Sequence, residues 1–146
     1  MSTARELFEK GEELFRRGEG LAALASFEKS CRLDGSNPLC KSYVALLSAT
    51  ERGQLALAIK DSEELLAMTP GEPLVYLNLA RLYIMAGRKK EAVNTLRKGV
   101  AIEQMPEIIH LLESAGLRKK PVFPFLPRQN FFNKYTGLLL TKLGFR

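Results

Sequence analysis

No stretch of this 146-residue chain approaches the ~18–20 apolar residues that a membrane-spanning helix requires. Its two cysteines, Cys31 and Cys40, are too few for a disulfide framework. Even with the single histidine, His110, they cannot supply four tetrahedral zinc ligands. His110 sits among Ile109, Leu111 and Leu112 with no nucleophile or carboxylate pair, so it reads as a packed or half-exposed side chain. No glycine loop ends in Lys-Ser/Thr, and no GxGxxG follows a strand pattern, which removes the common phosphate cradles. An enzyme would have no residues to work with, so neither catalysis, cofactor nor metal is expected. The charged, helix-patterned start, Met1-Ser-Thr-Ala-Arg-Glu-Leu-Phe-Glu, lacks the apolar core of a signal peptide. This predicts a cytoplasmic protein whose two thiols stay reduced near a helix–helix turn.

Acidic residues are missing from one region alone. Residues 118–146 hold seven of the 22 Lys and Arg and none of the 16 Asp and Glu. Residues 1–117 are left nearly neutral, with 15 basic against 16 acidic side chains. The net charge of +6 therefore belongs to the tail, and basic tails often meet anionic partners.

What the chain does have is a repeat. Gly18, Gly53 and Gly87 recur at 34–35 residues, each between two helical patterns, and Ala23, Ala58 and Ala92 follow five residues later. Units run over about 4–38, 39–72 and 73–105. In the first, Leu7, Phe8, Gly11, Leu14 and Phe15 fall on one face of a helix. Gly18 ends it, because glycine takes the left-handed C′ conformation without steric cost. Leu21, Ala22, Leu24, Ala25 and Phe27 open the second helix, which stops near Asp34-Gly35-Ser36-Asn37-Pro38. Such hairpins cannot bury their apolar faces alone, so they must stack.

On these residues the chain resembles the tetratricopeptide-repeat family over about residues 4–105. The family's small positions fall on Gly11 and Ala23 in unit one and on Ala80 and Ala92 in unit three. Unit two departs from the pattern, with Leu46 at the small position, Ala49 at the large one and Ser62 at the aromatic one. Exchanging Leu46 and Ala49 roughly conserves volume. The resemblance implies an all-α, right-handed superhelix of three helix-turn-helix units with C-terminal capping helices. It also implies a protein-interaction module, a scaffold or adaptor that holds a peptide or protein segment along the first helices. The groove residues are then Phe8, Glu12, Phe15, Tyr43, Leu47, Thr50, Leu77, Arg81 and Ile84, an apolar strip with few polar markers. A subfamily that grips C-terminal carboxylates uses Lys, Asn and Arg at positions matching Phe8, Glu12, Leu47, Leu77 and Arg81. Only Arg81 keeps the type and Glu12 would repel the ligand, so that activity is not expected.

Beyond residue 105 the period breaks. Residues 106–118 predict a capping helix, with Pro106 in its first turn and Gly116 as its stop. Residues 119–146 form a basic, apolar extension. Its Pro121–Pro127 stretch is predicted to be extended, and residues 129–143 are predicted to place Phe131, Phe132, Tyr135, Leu138, Leu139 and Leu143 on one helical face. The stiff apolar residues Val122, Phe123, Phe125 and Leu126 are candidates for docking in the groove or bridging a homodimer. The alternative to a groove adaptor is a membrane-surface or nucleic-acid role for the basic amphipathic tail, and the groove is favoured.

Overall fold

The computed structural model describes residues 1–117. The extension, with Val122, Phe123, Phe125 and Leu126, lies outside the described residues. Among them stand seven helices and no strand: α1 (Ala4–Arg16), α2 (Gly20–Leu33), α3 (Pro38–Arg52), α4 (Leu55–Met68), α5 (Pro73–Met85), α6 (Lys89–Ile102) and α7 (Pro106–Leu117).

Local chemistry sets the helix ends. Thr3 Oγ1 accepts from the Glu6 amide at 3.1 Å while the Glu6 carboxylate accepts from the Thr3 amide, a reciprocal cap on α1. Asn37 Oδ1 accepts from the Leu39 amide at 2.9 Å, and Pro38 follows where its missing N–H costs nothing. Pro73 opens α5 in the same way. At the other end of α1, Gly18 has φ +80°; its amide donates to Phe15 O and the Glu19 amide to Leu14 O. This closing pattern satisfies carbonyls that would otherwise dangle, and it is repeated at Gly87 with φ +75°. α7 ends at Leu117, one residue beyond Gly116 and at the last described residue.

Each helix packs on the next, and α3 also packs on α5, so the hairpins stack as a superhelical array. Among the described residues the core has two parts. Ala23, Leu24, Phe27, Cys40, Tyr43 and Leu47 join α2 to α3. Leu46, Ala49, Leu77, Leu79, Ala80, Leu82, Leu96 and Ile108 belong to the larger part, which runs from α3 to α7. The departures in unit two are absorbed there: Leu46 and Ala49 are both buried, and so is Ser62. The Ser62 hydroxyl has no hydrogen-bond partner among the described residues, which makes it a local cost where the pattern would place an aromatic ring.

Candidate functional site

α1, α3 and α5, the first helices of the three hairpins, meet through side chains that are far apart in sequence. Phe15 lies edge-on to Tyr43 at 5.2 Å between centroids, and Phe8 is 6.1 Å from Tyr43, linking α1 to α3. The Arg81 guanidinium sits 5.7 Å over the Phe15 ring, linking α5 to α1. Such a cation over a ring face contributes on the order of 0.5–2 kcal/mol, more as water is excluded.

A buried chain of polar groups aims that guanidinium. Asn78 is fully buried; its Nδ2 donates to Ser42 Oγ at 3.0 Å, and its Oδ1 accepts from Arg81 Nη1 at 2.8 Å. Ser42 is also fully buried. Ser42 and Asn78 therefore hold one edge of Arg81 through α3 and α5. Arg81 remains partly exposed.

Burial shapes the charges around it. Desolvation raises the Glu12 carboxyl above the ordinary glutamate range, against the pull of Arg16 and with a push from Glu9. The Tyr43 phenol is pushed up by burial and by Glu12. Burial pulls the Arg81 guanidinium down, opposed by Tyr43 and by Glu107 on α7. Glu12, Tyr43, Arg81 and Glu107 thus share one electrostatic neighbourhood contributed by four helices.

The residues expected in the groove divide by depth. Phe8, Glu12, Phe15, Thr50, Arg81 and Ile84 are partly exposed. Tyr43 retains 8% exposure, Leu47 3% and Leu77 1%. Leu47 and Leu77 are therefore core residues beneath the face, and a charge placed at Leu77 would test folding before binding. Tyr43 stacks flat on Phe27 of α2, 4.5 Å apart at 5°, which fixes its ring from behind. Sequence reasoning missed the supporting residues Phe27, Ser42, Asn78 and Glu107. Asn78 alone left a signal, a polar residue one helical turn before Arg81 in the apolar helix α5. His110, expected to be packed or half-exposed, is exposed on α7. Among the described residues no cluster of side chains could hold a metal ion, and no helix is long and apolar enough to cross a membrane.

Comparison with known proteins places this geometry. Residues 49–115 match the sequence model of a tetratricopeptide repeat family. The chain is 26% identical over 144 residues to superkiller protein 3 of Schizosaccharomyces pombe, covering 92% of this chain and 10% of that protein. It is 29% identical over 119 residues to the TPR repeat-containing thioredoxin TTL4 of Arabidopsis thaliana, covering 82% of this chain and 17% of that protein. It therefore spans only a small part of the curated relatives it matches. Among solved structures, the first TPR of Spaghetti (RPAP3), bound to HSP90 peptide SRMEEVD, superimposes with a TM-score of 0.61 at 20% identity, covering 80% of this chain and 92% of that one. That last likeness is one of fold. The stacked hairpins, the left-handed glycine after each first helix and the matched repeat together show that residues 49–115 carry tetratricopeptide repeat sequence and that the described chain has the fold of such proteins.

Proposed function

We propose that the chain is a protein-interaction module that holds a peptide or protein segment along the face of α1, α3 and α5, and that it catalyses no reaction. The observation that carries this reading is Arg81: a partly exposed residue whose guanidinium is fixed by Asn78 and lies over Phe15, among the partly exposed apolar side chains Phe8 and Ile84. A pre-aimed donor beside aromatic rings loses little entropy on binding, which is what a specific anchor needs. The fold relative that holds an HSP90 peptide supports the class of ligand, while Glu12 argues against a terminal carboxylate as its anchor. The division into units at about 4–38, 39–72 and 73–105, with a cap over 106–118, belongs to the same proposal.

The test is affinity capture from the native cell with the full chain and an Arg81→Met variant, which keeps the apolar stem and removes the charge. Captured partners should bind the variant more weakly by about 1.5–3 kcal/mol, the scale of a charged hydrogen bond. Equal retention by a variant with intact helical circular dichroism would remove this face from the binding site. Within this reading, Val122, Phe123, Phe125 and Leu126 act as a competitor for the face, in the same chain or in a second copy. Replacing Phe123 and Phe125 by serine should then tighten peptide binding or lower the mass seen by light scattering. If both are unchanged, the segment has neither role.

A further inference from the structure

The sulfur atoms of Cys31, in the last turn of α2, and Cys40, in the first turn of α3, lie 2.6 Å apart across the turn at 34–37. Both are free thiols. The separation is closer to a covalent S–S bond of about 2.05 Å than to the resting distance of unbonded sulfurs, so pairing needs only a small side-chain shift. Their surroundings differ. Cys40 is fully buried against Phe27, whose carbonyl lies 3.0 Å from its sulfur. Cys31 is partly exposed and lines a cavity of about 380 Å³ between α2, α3 and α4, floored by Val44, Ala45 and Leu65. Lys41, Asp61 and Glu64 also line this cavity, leaving one negative charge in excess.

We propose that Cys31 and Cys40 form a reversible dithiol–disulfide site that reacts with small disulfides entering through this cavity, Cys31 attacking first and Cys40 closing the internal bond. This inference is independent of the peptide-binding reading. The Cys31 thiol, donating to Cys40, holds the Cys40 thiol down to about 7 and is itself raised, first by that hydrogen bond and then by burial. Once the pair has lost one proton, the remaining one sits on the Cys31 sulfur and is donated to Cys40.

In the first step the Cys31 sulfur attacks one sulfur of the small disulfide RSSR. The S–S bond breaks, RS⁻ leaves, and the Cys31 proton passes to Cys40. In the second step Cys40 gives up that proton to RS⁻, and its thiolate attacks the Cys31 sulfur of the mixed disulfide. The second RS⁻ departs and takes a proton from water. The two cysteine sulfurs lose two electrons, RSSR gains them, and two RSH are released. The new bond ties the first hairpin to the second beside Phe27 and Tyr43, which share a buried cluster with Cys40.

The excess negative charge suits a cationic reagent, so the probe is cystamine, added to the full chain at neutral pH. Intact-mass spectrometry should show the loss of two hydrogens and thiol titration the loss of two thiols, both restored by dithiothreitol. The mixed disulfide should resolve at least tenfold faster in the folded chain than in urea, because the fold holds the second sulfur in contact. In Cys40→Ala the adduct should persist on Cys31. In Cys31→Ala the buried Cys40 should react at least tenfold more slowly than Cys31 does in Cys40→Ala. A stable adduct in the full chain, resolution no faster than in urea, or first modification at Cys40 would each overturn the assignment. The full-chain measurement stands even if a variant fails to fold.

Discussion

Gly11 decides how closely the first hairpin can pack. A Cβ built there would lie 2.8–2.9 Å from three atoms of the Phe27 ring, inside the distance that real side chains tolerate. That ring is fully buried, edge-on to Phe8 at 5.4 Å and stacked on Tyr43, so it has nowhere to retreat. Two effects oppose each other in Gly11→Ala. Helix propensity favours alanine by about 1 kcal/mol, while overpacking a filled core costs about 1–3 kcal/mol. Because the clash is with an immobile ring, overpacking should win, with a net loss of about 1 kcal/mol or more in urea unfolding. A stabilised Gly11→Ala would mean that the ring and the Tyr43 stack behind it are free to move.

Among the elements, α7 depends on others for its stability. It packs on α6 through Ile108, which is fully buried, and the Ile108 Cδ1 lies 3.2 Å from where a side chain on Gly99 would begin. Gly99 thus lets α7 approach, while Tyr76 Cβ bounds the same gap at 2.9 Å. Ile108→Ala should cost about 2–5 kcal/mol, the range for truncating a buried aliphatic side chain. Hydrogen exchange should show α7 losing protection before α3 and α5, since among the described residues its main packing is on α6 alone. Exchange rising equally from α1 to α7 would instead mark the array as one cooperative unit. The helices themselves were legible in the sequence, because Gly18, Gly53 and Gly87 punctuate them and all three take positive φ. Depth was much less legible. Helical periodicity gives the face on which Leu47 and Leu77 lie, but it cannot say that neighbouring helices close over them. The contact between Cys31 and Cys40 was hidden for the same reason, since nine positions of separation through a turn leave their side-chain directions open.

At the scale of the whole molecule, the candidate binding face is an electrostatic unit, and Glu12 makes it sensitive to pH. Its nearest charged influences are Arg16 and Glu9 on α1, Tyr43 on α3 reports its charge, and Tyr43 in turn feels Arg81 and Glu107. Because burial raises the Glu12 carboxyl, the folded chain holds that proton more tightly than the unfolded chain does. The sign follows. As pH rises from the ordinary glutamate value through the raised one, the folded state binds more protons than the unfolded state, so Glu12 lowers stability across that window. The cost is complete above it and absent below about pH 4, where the side chain is neutral in both states. Glu12→Gln should therefore raise the melting temperature at pH 7 and leave it unchanged near pH 3.5, where the two chains are electrically alike at this position. The same variant removes the negative charge nearest Tyr43, so it should also relax the exclusion of carboxylate-ended peptides from the face and strengthen their binding at pH 7. Melting curves at both pH values, with titration of one acidic-ended peptide, separate the two effects. A melting gain equal at both pH values would trace the change to packing and not to charge. A gain at pH 7 without tighter peptide binding would place the face, or the ligand's terminus, away from Glu12.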